Sequence, residues 1–203
     1  MAVNYVVQAE VIDIQADQPR PSDVFLVDSN IWFWMTYSGA GLGTDRRARV
    51  YPNYLRSARR AKAKVYRCGL SLAELAHLIE DIEYQIFQQT HAGESRKEFR
   101  GNHPTERAGI VTDIQNAWRI VKSMALSLNF PIDETTTDAA IERFSKQPLD
   151  GYDLFMLQAM VVAGVTQVLT DDGDFCTVPG IQVFTANRPV LDAARAQGKL
   201  LVR

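Results

Sequence analysis

Four acidic residues stand where predicted elements begin or end: Asp28, Glu74, Asp153 and Asp172. Carboxylates that crowd together repel one another and cannot all stay ionised without compensation. A hard divalent cation supplies it, because Mg2+ and Mn2+ prefer oxygen ligands and keep several waters. Such a cation lowers the pKa of a bound water and stabilises charge on a phosphoryl oxygen. The chemistry implied is metal-assisted hydrolysis of a phosphodiester, with Mg2+ or Mn2+ as the cofactor. Each acid also has a structural competitor. Asp28 could cap the turn that follows it. Ser71-Leu72-Ala73-Glu74 fits the S-x-x-E capping box, in which the glutamate returns to the N–H of Ser71. Asp153 could complement a helix N-terminus, with Asp150 as a rival ligand. Asp171, Asp172 and Asp174 could form only a solvated acidic turn.

The elements that must position these acids alternate between strand and helix. Val24-Phe25-Leu26-Val27 is a continuous apolar run, the mark of a strand buried on both faces, and it ends at Asp28-Ser29-Asn30. In open parallel sheets ligands bind at such carboxyl ends. Gly39 to Gly43 reads as a loop, Pro52 to about Lys62 as a helix, and Val65 to Leu70 as a second strand. Ser71 opens a helix to about Phe87, with Leu72, Leu75, Ala76 and Ile79 at helical spacing. His91 to Glu106 reads as a polar mobile loop. Helices are predicted over 105–128, 137–146 and 151–163, then a strand at 167–169, a loop at 171–176, a strand at 182–184 and a helix at 189–196. Val3 to Ile14 alternates loosely and suits an added edge strand. This order implies a single α/β domain over 1–203 with a mostly parallel sheet covered on both faces. Residues 1–22 form an N-terminal extension, and 90–106 a polar insertion.

Bulk properties narrow the class. With 203 residues, 46% hydrophobic and 23% charged, the chain can bury an ordinary globular core. No apolar run approaches the roughly 20 residues that cross a bilayer, and no secretory signal pattern opens the chain, so a cytoplasmic protein with no membrane association is expected. Cys68 and Cys176 form no C-x-x-C pair and, with three histidines, no zinc constellation. His77, His91 and His103 are expected to have no catalytic role. The net charge of −2 hides segregation: nine Lys or Arg and no acid lie between Arg46 and Arg67. Within that block Arg56, Arg60 and Lys64 are spaced i, i+4, i+8, with Arg59 beside them. A helix continuing that far would present one cationic face for RNA phosphates, and Tyr51, Tyr54 and Tyr66 could stack on unpaired bases. A second cluster, Arg96, Lys97, Arg100 and Arg107, could close over a strand. Trp32 and Trp34 suit core and rim packing better than a base platform.

Taken in order, the acidic segments resemble the motifs of the PIN-domain ribonucleases. Val27-Asp28-Ser29-Asn30 is similar to the first motif and Ser71-Leu72-Ala73-Glu74-Leu75 to the second. Asp153, followed by Leu157, Ala159, Ala163 and Gly164, resembles the third. Leu169-Thr170-Asp171-Asp172-Gly173-Asp174-Phe175 resembles the fourth and is the most specific of them. The resemblance runs from Val24 to Phe184. It implies a three-layer α/β/α fold and an Mg2+- or Mn2+-dependent cleft that cuts RNA. Asp28, Glu74, Asp153 and Asp172 would then hold the metal directly or through water, and Asp174 would assist. Ser29, Asn30 and Thr170 would orient ligands or water by hydrogen bonds. The chain is longer than many small members, with the excess before Asp28 and between Glu74 and Asp153. Bacterial toxin ribonucleases form the largest relevant group, so an antitoxin protein and a homodimer join RNA as candidate partners. The alternative is a catalytically inactive PIN-like module that binds RNA or protein. A receiver domain also places an Asp at a strand end, but it needs paired acids ahead of that strand and a lysine after a late one.

Overall fold

The computed structural model describes residues 3–41 and 45–203, so positions 42–43 of the expected Gly39–Gly43 loop lie outside the described residues. Ser38–Gly41 forms a short 3-10 turn. The first strand, β1 (Glu10–Asp13), lies at the sheet edge as expected but covers only four residues of the 3–14 stretch, and is followed by β2 (Val24–Val27) and helix α1 (Ser29–Thr36). Helix α2 (Arg47–Arg60) leads to β3 (Lys64–Cys68), and α3 (Ser71–Gln88) to α4 (Arg96–Asn102) and α5 (Pro104–Met124). Strand β4 (Leu126–Leu128), α6 (Glu134–Phe144), α7 (Gly151–Ala163), β5 (Gln167–Leu169), β6 (Gln182–Thr185) and α8 (Arg188–Ala196) complete it.

All described strands pair in parallel, in the order β1-β6-β5-β2-β3-β4. Side chains alternate across each strand, and the sheet therefore has two cores. Leu26, Val168 and Val183 face one layer, where they meet Ala140 of α6, Leu157 of α7 and Val190 of α8. Phe25, Val27, Leu169 and Phe184 face the other, against Ile31 and Trp32 of α1, Leu55 of α2, Leu75 and Ile79 of α3 and Val121 of α5. The fold is thus a three-layer α/β/α sandwich. From β2 the chain builds outward through β3 and β4, then crosses back to lay β5 and β6 on the other side. The β2/β5 boundary is where strand order reverses, the place at the carboxyl ends where the binding crevice of an open parallel sheet lies.

Several boundaries differ from expectation. Helix α2 starts at Arg47 rather than Pro52, and Pro52 lies buried inside it. It ends at Arg60; Lys62 takes a positive φ of 65°, and Lys64 belongs to β3. The cationic helix face through Lys64 is therefore not formed. The polar stretch expected as a loop contains α4, which opens with a reciprocal Ser95–Glu98 capping box. Strand β4 ends what periodicity gave as one helix to residue 128. Only three residues long, it is specified by pairing with β3 rather than by a local signal. Among the described residues no helix is long and apolar enough to cross a membrane, and Cys68 and Cys176 are buried free thiols.

Candidate functional site

Strand β2 delivers Asp28 to the crevice, and the strand's end decides its bonds. Asp28 is 2% exposed and serves as N-cap of α1, with Oδ1 accepting the Ser29 N–H at 2.5 Å. Its Oδ2 accepts from Thr170 Oγ1 at 2.5 Å and Asn30 Nδ2 at 2.7 Å. Capping and membership of the acidic cluster therefore coexist in one residue. Thr170, fully buried after β5, also accepts the Asp172 N–H at 2.8 Å, which ties the β5 loop to Asp28. Asp172 Oδ1 in turn accepts the Asp174 N–H at 2.9 Å.

Glu74 lies in the first turn of α3, but the capping box is not made. The N-cap is Leu70 and no side chain caps the helix. Among the described residues Glu74 Oε2 is instead buried with no hydrogen-bond partner, as is Ser29 Oγ nearby. Asp150 takes the capping role on α7, accepting the N–H groups of Tyr152 at 2.9 Å and Asp153 at 3.1 Å. That leaves Asp153 itself 3% exposed, with no donor to its carboxylate among the described residues.

The fields of these groups overlap. Burial, then the charge of Glu74, pushes Asp28 up to about 8 against the opposing Thr170 hydrogen bond. Burial, followed by the charges of Asp28, Asp172, Asp150 and Glu74, pushes Asp153 up to about 10. Glu74 is raised by burial, held back by the facing Ser29 hydroxyl and raised further by Asp150 and Asp172. Burial also raises Asp172 and Asp174, each with a contribution from Asp150. The four acids Asp28, Glu74, Asp153 and Asp172 therefore share one electrostatic neighbourhood, and Asp174 adjoins it.

They are near one another without forming a ready cage: among the described residues no group of three or more His, Cys, Asp or Glu could hold a metal ion as it stands. The donor set still suits a hard cation. It is built of oxygen, its Glu74 Oε2 is orphaned, and its Asp153 carboxylate has no protein donor.

The raised values have a consequence for stability. Without metal, the folded chain keeps protons that the unfolded chain releases near 3.8. The stabilising contribution of Asp28 is complete below that value and is lost as pH rises toward about 8, with Asp153 continuing to about 10. In EDTA the melting temperature should fall by several degrees between about pH 5 and pH 8, each kcal/mol lost appearing as roughly 2–4 °C. Thermal melts at the two pH values check this, and a flat profile contradicts it. Added Mn2+ should restore more stability at the higher pH, where ligands need shed fewer protons.

The cationic expectations fare differently. Arg56, Arg59 and Arg60 are exposed on the last turns of α2, and Lys64 opens β3. Parallel strands start at the end opposite their carboxyl termini, so Lys64 lies at the far pole from Asp28, and the end of α2 that leads into β3 lies with it. Tyr51 and Tyr54 are 0% and 5% exposed and cannot offer faces to bases, and Tyr66 packs against the core. Tyr51 instead pins the site: its hydroxyl donates to Asp171 at 2.5 Å and accepts the Ala186 N–H at 2.8 Å. Three of the four cations of the second cluster are paired internally, Arg96 to Asp81, and Arg100 and Arg107 to Glu80, while Lys97 is exposed. Trp32 is core, and Trp34 stacks on Tyr51 at 5.3 Å. Of the histidines, His103 sits 2.7 Å from Glu94 and His77 3.7 Å from Asp81.

Two site residues carry no local signal. Tyr5 of the N-terminal extension lies against Gly173, between Asp172 and Asp174, where a Cβ would come within 2.2 Å of its hydroxyl. A larger residue there would push the Tyr5 ring aside. Burial and the charges of Asp174 and Asp172 raise the Tyr5 pKa, as expected of a phenol at the rim of the acids. Arg47 is the other, reaching Asp171 at 3.5 Å and standing 5.1 Å over the Trp34 ring. No protein-family model matches the chain, and no curated protein shows significant sequence similarity to it.

Proposed function

We propose that the chain is a metal-dependent endoribonuclease of the PIN type, hydrolysing phosphodiester bonds of RNA. One observation carries this reading: Asp28, Glu74, Asp153 and Asp172 come from four separate elements to one buried neighbourhood at the carboxyl end of an all-parallel sheet. Burying several acids without cations is costly, and perturbed groups converging in a crevice are characteristic of functional sites. Asp28, Glu74, Asp153 and Asp172 would hold Mg2+ or Mn2+, with Asp174 beside them. The ion supplies an activated water and charge stabilisation at the phosphoryl oxygens.

The chain's own groups have distinct tasks. Thr170, Ser29 and Asn30 hold the Asp28 carboxylate in one orientation. Tyr51 and Arg47 fix Asp171, and through it the loop that bears Asp172. In the toxin role, an antitoxin would restrain the enzyme by covering the carboxyl end of the sheet.

A catalytically inactive RNA- or protein-binding module is the second reading, and the loose spacing of the acids favours it. Incubating the purified chain with single-stranded RNA separates the two. The nuclease reading expects cleavage with Mn2+ or Mg2+ that EDTA abolishes. RNA that is bound but never cut with either ion supports the binding module.

A further inference from the structure

The acids at the crevice attract cations and repel a polyanion, so a nucleic-acid strand needs positive charge close by. The basic block around Arg56 to Lys64 does not supply it, since Lys64 and the end of α2 lie at the opposite pole. A different cationic cleft does. It measures about 450 Å3, within the range of ligand sites, and is walled by Arg46, Arg188 and Arg195 together with Asp13, Gln15, Leu191 and Asp192. Two of its walls continue directly into the acidic site. Arg46 precedes Arg47, which reaches Asp171. Arg188 follows Asn187, whose Nδ2 donates to the Asp171 backbone oxygen at 2.7 Å. Asp171 adjoins Asp172.

The charges within the cleft are unequally committed. Arg195 is paired with Asp192 at 2.9 Å, while Asp13, whose Oδ1 accepts the neutral Gln15 N–H at 2.9 Å, keeps its charge, so three arginines against two aspartates leave the cleft at +1. Arg46 bonds only the neutral Gln15 side chain, and neither it nor Arg188 has a carboxylate partner among the described residues. Both arginines also stand at helix N-termini; at α2 the Asp45 carboxylate accepts the Arg47 N–H at 2.9 Å, whereas α8 has, among the described residues, no side-chain cap and no acid in its first turn. The helix dipole disfavours cations there, so Arg188 adds to a partial positive charge where an anion would relieve it.

We infer that the cleft between the N-termini of α2 and α8 binds the phosphate backbone of a single-stranded nucleic acid and leads it to the carboxylate site. This rests on the nuclease reading for the strand's destination, while the cleft's affinity can be measured without catalysis. Phosphate contacts by Arg46 and Arg188 give binding that is tolerant of sequence and weakened by salt.

The test is fluorescence anisotropy with a labelled single-stranded RNA across a salt series, with EDTA present so that no strand is cut. Arg46→Gln and Arg188→Gln should each weaken binding about tenfold and lower the slope of log affinity against log salt by about 0.7. Arg56→Gln and Arg60→Gln, at the far end of α2, should leave both quantities unchanged. Circular dichroism melts confirm that each variant is folded. The inference is overturned if the chain does not bind RNA, if the two cleft variants bind like the parent, or if the loss falls on Arg56 and Arg60. It is also overturned if polyglutamate displaces the strand at matched charge. Binding that depends on Arg46 and Arg188, with no cleavage when Mn2+ is added, would uphold the cleft and remove the nuclease reading instead.

Discussion

Asp28→Asn should reduce Mn2+-stimulated RNA cleavage at least a hundredfold while leaving the chain folded. The loss is set at the upper end of what removal of groups outside the ligand shell costs, because Asp28 would be a ligand itself. The side chain keeps its shape, so the Asn oxygen can still accept the Ser29 N–H that closes the start of α1, while its NH2 can donate to Thr170 Oγ1 but meets the Asn30 NH2, which must turn away. Burial and Glu74 already push Asp28 up to about 8, so near neutral pH the metal-free carboxyl is largely protonated and an uncharged replacement changes little. The expected signature is therefore a split between metal-free and metal-loaded states. Parent and variant melt within a few degrees of each other in EDTA, and only the parent is stabilised by Mn2+, since an ion that binds the folded form alone raises its stability. Cleavage assays on both proteins, with melts in EDTA and Mn2+, decide the matter. Undiminished, EDTA-sensitive cleavage by the purified variant would sink the assignment of Asp28.

Arg203→Ala should produce the largest loss of stability, far from the site. The Arg203 guanidinium binds Asp17 at 2.9 Å and Asp23 at 2.6 Å and stands 4.5 Å over the Phe184 ring. Both acids have side chains only 2% exposed. Removing the arginine strands two buried carboxylates, a change of about 3–5 kcal/mol, or roughly 6–20 °C in melting temperature for a domain of this size. Burial pushes Asp23 up, but the Arg203 hydrogen bonds outweigh it and hold the group below its ordinary value of 3.8. The contribution is thus present above 3.8 and is lost as pH falls through the lower folded value. This acid-side loss is opposite in sign to that of the crevice acids. Melts of the variant near neutral and acid pH should show its deficit shrinking toward the acid end. A deficit below about 1 kcal/mol, the value of an exposed pair, would show that the clamp is not the buried pair described.

Local order was legible wherever it depends on neighbours in the chain. The apolar run Val24–Val27, the α3 periodicity through Leu75 and Ile79, and the span of α7 from Gly151 to Ala163 all follow from short-range rules, and the observed elements agree. The order of the acidic segments was legible too, because each sits at the end of such an element. Two boundaries were misplaced for one reason, that a distant contact outweighed the local cue. Pro52 reads as a helix start, but Tyr51 is held in a helix already under way by its bonds to Asp171 and Ala186. Leu126–Leu128 reads as helix, but β3 offers it a strand edge.

The alternation of strands and helices, the parallel sheet it implies, and the acids at the ends of those elements all follow from residue order. Spacing along the chain encodes those features, through periods of about 2 and 3.6 residues. Which groups meet depends instead on how the elements pack. Glu74 could cap Ser71 or face Asp28 with equal local sense, and the packing of α3 beneath the crevice left its Oε2 unpartnered instead. Tyr5 and Gly173 are 168 positions apart and touch because β1 joins the sheet beside β6. The nine cations between Arg46 and Arg67 look like one block, yet α2 carries them from one end of the sheet toward the other. Arg47 reaches Asp171 from the first turn, while Arg59 and Arg60 stand at the other end of a 14-residue helix about 21 Å long.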